Sequence, residues 1–128
     1  MLFAMNQILI IDDDAMTRHT LSAALEQGGF QVEVAENGEE GIRKFRSGSF
    51  DLTIVDIWMP QKDGLDTIIE IRQHTRKAKV IAISGAGEFG ITTPLDWAKR
   101  LGALAVLVKP FSIEDLRNAV RKALDSAG

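Results

Sequence analysis

Three things are scarce or missing in this sequence, and each excludes a class of function. There are no cysteines, so disulfide bonds and thiolate metal sites are excluded. No apolar run approaches the roughly 20 residues that a membrane-spanning helix needs. The formal net charge is only −3, so no general electrostatic attraction draws the chain to nucleic acid or to an anionic membrane. Residues 1–5 are too short for a signal peptide and lack a basic start, and we therefore expect a cytoplasmic protein.

The length and composition fit one folded unit. The chain has 128 residues, of which 45% are hydrophobic and 26% are charged, as is ordinary for a domain with one core. No linker, internal repeat or low-complexity tract interrupts it. We therefore predict a single domain over residues 1–128, with a folded core from about residue 7 to residue 124.

Short apolar runs alternate with helical patterns along the whole chain. The predicted strands are 8–11, 30–35, 52–56, 79–84 and 103–108. The predicted helices are 15–27, 39–47, 65–74, about 93–101 and about 113–124. Five strand–helix pairs in alternation predict a doubly wound α/β fold, with a five-stranded parallel sheet and helices on both of its faces. The flavodoxin-like version of this fold has the strand order 2-1-3-4-5.

Two of the predicted helices have clear entry signals. Asp14 is placed to cap the first helix by accepting a bond from a free backbone N–H. Ser112 at the N-cap, with Asp115 three residues later, forms a variant of the capping box for the last helix. Four side chains of the helix over residues 65–74 are expected to face the sheet, namely Leu65, Ile68, Ile69 and the stem of Arg72.

Carboxylates follow two of the predicted strands directly. Asp56 ends the third strand after four largely apolar residues, just before the loop-forming Pro60 and Gly64, and Asp12 and Asp13 follow the first strand. In an open parallel α/β sheet, ligands bind beyond the carboxyl ends of the strands. The strand order 2-1-3-4-5 sets the first and third strands side by side. All three carboxylates are therefore expected in one pocket.

The chemistry of such a pocket favours a metal and a phosphoryl group. At an effective dielectric constant of about 20, two carboxylates roughly 4 Å apart repel by about 4 kcal/mol. A hard divalent cation relieves that repulsion, and a ligand set of oxygens suits Mg²⁺. Asp56 can act as a carboxylate nucleophile and form an acyl phosphate. Lys109 and Ser84 end the two strands on the other side, and supply a positive charge and a hydroxyl for phosphoryl oxygens.

At these residues the sequence resembles the receiver domain of two-component response regulators, of the chemotaxis-regulator type, from about residue 7 to residue 124. Each matching motif alone is weak, but together, in this order and spacing, they are highly specific. The motifs are Ile11-Asp12-Asp13, the stretch from Asp56 to Gly64, Ile83-Ser84-Gly85, and Gly102-Ala103 leading to Lys109-Pro110-Phe111.

The resemblance implies a role for each acidic residue. Asp56 takes phosphate from a histidine kinase or a histidine phosphotransfer protein. Asp12 and Asp13 hold Mg²⁺, Asp13 more directly, together with Asp56 and the backbone carbonyl of Trp58. No turnover of an external substrate is expected, so the chain is not predicted to be an enzyme in that sense.

The resemblance also implies how the signal leaves the site. Ser84 and Lys109 contact the phosphoryl group after transfer, and the bond between Lys109 and Pro110 is expected to be cis. The face formed by the fourth helix, the fifth strand and the last helix then changes and binds an output partner or a second copy of the chain. Many family members carry Tyr or Phe where this chain has Val106, so a rotating aromatic ring is not available here.

Two alternatives to this function stay open from the sequence. One is a binding module that works without phosphorylation, although such modules usually lose an acidic residue or the lysine. The other is a phosphatase of the haloacid dehalogenase type, which also uses an aspartyl nucleophile with Mg²⁺. That family needs Thr or Val where this chain has Met16, and it carries a cap domain that is not seen here.

Overall fold

A computed structural model of the chain describes residues 6–57, 59, 64–85, 96 and 100–126. Five parallel strands form one sheet in the order β2-β1-β3-β4-β5, which confirms the predicted fold class and strand order. The strands are β1 (Gln7–Ile11), β2 (Gln31–Ala35), β3 (Leu52–Asp56), β4 (Val80–Gly85) and β5 (Ala105–Lys109).

Four helices with complete bounds accompany the sheet. They are α1 (Ala15–Gln27), α2 (Gly38–Ser47), α3 (Gly64–His74) and α4 (Ile113–Asp125). The further helix predicted over about 93–101 lies mostly outside the described residues, although Asp96, Arg100 and Leu101 are helical. In the part of the chain that is described, no helix combines the length and the apolar character needed to cross a membrane.

The sheet separates two hydrophobic cores. Because successive side chains of a strand point to opposite faces, Ile8 and Ile10 of β1 enter one core while Leu9 and Ile11 enter the other. The first core is closed by apolar residues of α1 and α4, and the second by those of α2 and α3. The strand β3 is buried along its whole length, as expected for a central strand covered on both faces.

The predicted helix caps are present. The Asp14 side chain accepts a bond from the backbone N–H of Thr17, and Ser112 and Asp115 form the reciprocal capping box of α4. At the other end of α4, the Lys79 Nζ donates to the carbonyls of Leu124 and Ser126, both at 2.9 Å. A cation at a helix C-terminus satisfies carbonyls that have no partner within the helix and complements the helix dipole.

The prediction for the buried face of α3 is wrong at one residue. Ile69 is 45% exposed, whereas Ile71 is fully buried. Gly64, Thr67, Ile68 and Ile71 form the buried face of α3. The spacing of three and four residues follows the helical period, and Ile69 lies about 100° away from Ile68 around the helix axis.

Strand β2 is an edge strand, as predicted, and its outer edge carries a side-chain contact. The Gln31 N–H donates to the Asn6 carbonyl and the Ala35 carbonyl accepts from the Asp12 N–H, so the odd-numbered groups of β2 face β1. The carbonyl of Val34 therefore faces outward. The Nζ of Lys44 on α2 donates to that carbonyl at 2.6 Å.

Candidate functional site

The strand register brings the predicted site residues to one edge of the sheet. Ile11 pairs with Val55, so Asp12 follows β1 at the level of Asp56 on β3. On the other side of β3, Asp56 pairs with Ile83 of β4, and Ser84 comes next. The five predicted side chains, Asp12, Asp13, Asp56, Ser84 and Lys109, thus follow or end four neighbouring strands at their carboxyl ends.

Asp56 lies at the centre of this edge. It is 4% exposed, and its Oδ2 lies 3.4 Å from the Nζ of Lys109. The Lys109 side chain is 38% exposed, so the ammonium group reaches the buried carboxylate from the rim of the pocket. The buried carboxylate of Asp56 thus has a positive charge beside it.

The three predicted carboxylates form one cluster. One oxygen each from Asp12, Asp13 and Asp56 lies within 4.8 Å of the other two. Asp12 is fully buried, Asp13 is exposed, and the Oδ2 of Asp12 has no hydrogen-bond partner among the described residues. A buried carboxylate oxygen without a donor, beside two other carboxylates, fits a hard cation such as Mg²⁺.

Burial changes the acidity of Asp12. Its pKa rises from 3.8 to about 6, chiefly because the ionised form loses its solvation inside the protein. The bond from the Asp14 N–H opposes this rise, the carboxylate of Asp56 adds to it, and Lys109 opposes it. Keeping Asp12 ionised in the folded chain therefore costs free energy, which a bound cation would offset.

Asp12 is held by three hydrogen bonds. Its N–H donates to the Ala35 carbonyl at 3.1 Å, and its Oδ1 accepts from the Asp14 N–H at 2.9 Å. Its backbone carbonyl accepts from the guanidinium NH1 of Arg18 at 2.7 Å. Sequence reasoning did not identify Arg18, because a side chain that bonds a backbone carbonyl six residues away leaves no pattern in the sequence.

Three further predictions concern Ser84, the bond between Lys109 and Pro110, and the backbone carbonyl of Trp58. Ser84 is fully buried, and its Oγ has no hydrogen-bond partner within the described part of the chain. The bond between Lys109 and Pro110 is cis, as the resemblance implied. Trp58, whose backbone carbonyl was predicted as a metal ligand, lies outside the described residues.

Gly64 packs directly against the end of β3. Its N–H donates to the Ile57 carbonyl at 2.8 Å. A Cβ at this position would collide with the carbonyl oxygen of Asp56 and with the Cα of Ile57. Only glycine leaves room for this approach, so the start of α3 helps to fix the backbone that carries Asp56.

Comparisons with known proteins agree with this geometry. The family model described as "Response regulator receiver domain" matches residues 8–121. Chemotaxis protein CheY of Bacillus subtilis (strain 168) is 35% identical over 121 residues, which cover 94% of this chain and 98% of that protein. Regulatory protein AtoC of Escherichia coli (strain K12) is also 35% identical over 121 residues, but the chain spans only 26% of its length.

Solved structures show the same fold. The response regulator TrrA of Thermotoga maritima, crystallised in complex with Mg(2+)-BeF, is 37% identical and superposes with a TM-score of 0.80, covering 93% of this chain and 99% of that one. A receiver domain protein from Clostridium thermocellum is 32% identical with a TM-score of 0.86, covering 94% and 95%. With the family model matched across most of its length and an acidic pocket at the carboxyl edge of its sheet, the chain belongs to the response regulator receiver domains of two-component systems.

Proposed function

We propose that this chain accepts a phosphoryl group on Asp56 from a phosphohistidine donor, in a reaction that depends on Mg²⁺. The observation that carries the proposal is the position of Asp56: a buried carboxylate with the Lys109 ammonium at 3.4 Å and two further carboxylates within 4.8 Å. The donor is a histidine kinase or a histidine phosphotransfer protein. Mg²⁺ bound by Asp12, Asp13 and Asp56 would neutralise negative charge on the phosphoryl oxygens during transfer.

The residues of the chain have distinct parts in this transfer. A carboxylate oxygen of Asp56 forms a bond to phosphorus, and the bond from phosphorus to the donor imidazole breaks with its electron pair leaving on the imidazole nitrogen. Lys109 stabilises the negative charge on a phosphoryl oxygen. The buried hydroxyl of Ser84, on the strand next to Asp56, donates a hydrogen bond to another phosphoryl oxygen. The product is an acyl phosphate on Asp56.

The related structure of TrrA supports the choice of metal. That protein is 37% identical to this chain, and its crystal structure contains Mg(2+)-BeF. The same acidic donor set is suited to Mg²⁺ here, because carboxylate oxygens are the ligands that this ion prefers. We therefore propose Mg²⁺ as the cofactor. We do not expect the chain to turn over an external substrate.

The output of the switch is proposed to pass through β5 and α4, together with the helix predicted over about 93–101. Phosphorylation adds a charge of about −1.5 to −2 beside Ser84 and Lys109. A groove of about 630 Å³ lies between β5 and α4, next to Lys109, and is lined in part by Val106, Val108 and Phe111. We expect this face to bind an output partner or a second copy of the chain in the cytoplasm.

The test is phosphorylation by a small donor. Purified protein is treated with acetyl phosphate and Mg²⁺, and the phosphorylated fraction is measured on phosphate-affinity gels and by intact mass. We expect one added phosphoryl group on the wild-type chain and none on Asp56→Asn. Asp125→Asn is the matched control, because it removes an exposed carboxylate at the far end of α4 and should leave the reaction unchanged.

Two results would contradict the proposal. A wild-type chain that takes up no phosphoryl group under these conditions would favour a binding module that works without phosphorylation. Steady hydrolysis of p-nitrophenyl phosphate that Asp56→Asn abolishes would favour a phosphatase instead.

A further inference from the structure

Arg18 links helix α1 to the acidic pocket by a side-chain contact. It lies in the first half of α1, where its N–H donates to the Asp14 carbonyl at 3.0 Å in a regular helical bond. Its guanidinium turns back and donates to the backbone carbonyl of Asp12 at 2.7 Å. The residue is half-buried, and the contact spans the loop between β1 and α1.

With this contact, three polar groups of Asp12 have hydrogen-bond partners. The N–H, the carbonyl and the Oδ1 of Asp12 each have a partner, namely the Ala35 carbonyl, the Arg18 guanidinium and the Asp14 N–H. The Oδ2 is the polar atom that remains, and it is buried without a hydrogen-bond partner in the described part of the chain. The surrounding hydrogen bonds thus leave one oxygen of Asp12 without a donor, in a carboxylate that lies within 4.8 Å of those of Asp13 and Asp56.

From this geometry we propose that Arg18 is a positioning residue for the metal site, acting through the carbonyl of Asp12 without touching the metal. The proposal rests on the function proposed above. Arg18 holds the peptide between Asp12 and Asp13, and so fixes the directions in which both carboxylates leave the backbone. Groups that orient metal ligands in this way typically change metal affinity by about 10- to 100-fold when they are removed.

The charge of Arg18 allows a decisive test, because an electrostatic role and a positioning role predict opposite changes in Mg²⁺ affinity when Arg18 is replaced. A guanidinium near a cation site repels the cation, so a purely electrostatic role predicts that Arg18→Met binds Mg²⁺ more tightly than the wild type. A positioning role predicts weaker binding, because the ligands lose their fixed orientation. Arg43→Met is the matched control: it removes the same charge from an exposed position on α2.

The experiment measures Mg²⁺ affinity by titration calorimetry at constant ionic strength for the wild type, Arg18→Met, Arg18→Lys and Arg43→Met. We expect Arg18→Met to weaken binding by about tenfold or more. Arg18→Lys keeps the charge but replaces the planar guanidinium with one ammonium group, so its affinity should lie between those of Arg18→Met and the wild type. Arg43→Met should bind as well as the wild type or slightly better.

A second readout separates positioning from a general loss of stability. The thermal unfolding midpoint of each variant is measured in EDTA and at one fixed, sub-saturating Mg²⁺ concentration. If Arg18 only stabilised the fold, Arg18→Met would lower both midpoints equally and leave the Mg²⁺-induced rise unchanged. We expect that rise to shrink in Arg18→Met at a fixed, sub-saturating Mg²⁺ concentration, while Arg43→Met keeps it.

The outcomes distinguish this inference from the proposed function. A folded Arg18→Met that binds Mg²⁺ as tightly as the wild type, or more tightly, overturns the role of Arg18 alone. If Arg18→Met does not fold, Arg18→Lys decides: wild-type affinity in that variant overturns the role, and weakened affinity supports it. A wild-type chain that binds no Mg²⁺ overturns the proposed function, and this inference with it.

Discussion

Replacing Asp12 with Asn should make the metal-free protein more stable at neutral pH. Burial raises the pKa of the Asp12 carboxyl from 3.8 to about 6, so keeping it ionised in the folded state costs free energy. One pKa unit corresponds to about 1.36 kcal/mol, and the difference between 3.8 and about 6 therefore corresponds to about 3 kcal/mol. An amide at this position has the same shape and carries no charge, so Asp12→Asn removes most of this cost.

The raised pKa of Asp12 determines how its contribution to stability changes with pH. Below pH 3.8 the carboxyl is protonated in both the folded and the unfolded chain, and it contributes no difference. Between pH 3.8 and about 6 the folded chain keeps a proton that the unfolded chain has lost, so this group's contribution to stability falls as the pH rises. Above pH 6 the full cost of about 3 kcal/mol applies. The gain from Asp12→Asn should therefore appear across this window and level off above it.

The assay is urea unfolding of wild type and Asp12→Asn in EDTA, at pH values below 3.8 and well above 6. Asp13→Asn removes the same charge from an exposed neighbour, and should stabilise the chain less. Adding Mg²⁺ at about 100 times its dissociation constant should raise wild-type stability by about 2.7 kcal/mol, and should raise that of Asp12→Asn by less. An Asp12→Asn protein that is no more stable than wild type above pH 6 would refute this reasoning.

Three further substitutions test other parts of the structure. Gly64→Ala should destabilise the chain by about 3 kcal/mol in urea unfolding and impair phosphorylation, because the added Cβ collides with the backbone of Asp56. Lys109→Met should slow phosphorylation by acetyl phosphate by about 10²-fold in a rate assay, because the charge beside the phosphoryl group is lost; a rate within twofold of wild type would contradict its role. Lys79→Met should cost about 2 kcal/mol and speed amide exchange in the last turn of α4, with phosphorylation unchanged.

Local signals in the sequence were enough to predict most of the fold. The bounds of α1 and β3 match the predicted residues. Asp14 at the N-cap and the pair Gly28-Gly29 mark the two ends of α1, and the largely apolar run from Leu52 to Val55 marks β3. The strand order follows from the general rule for alternating strands and helices, and that order alone predicts that Asp12, Asp13 and Asp56 lie together. The roles of the site residues stay predictions until phosphorylation and metal binding are measured.

Contacts that depend on three-dimensional packing could not be predicted from the sequence. Ile69 and Ile71 are the same residue type two positions apart on α3, and only the rotation of the helix against the sheet decides which is buried. Arg18 and Lys79 bond backbone carbonyls with flexible side chains, and Lys79 does so across 45 and 47 residues. Such contacts follow from the positions of whole elements and have no local pattern.

The contact between Lys44 and the Val34 carbonyl protects the rim of the sheet. An exposed edge strand has unpaired backbone groups to which a strand of another molecule can hydrogen-bond, and such pairing is a common route to aggregation. The ammonium group of Lys44, 2.6 Å from the outward carbonyl, occupies an acceptor that an incoming strand would need. A neighbouring molecule that tried to extend the sheet at β2 would first have to displace the half-buried Lys44 ammonium from this carbonyl, so self-assembly through this edge is disfavoured while the native fold is intact.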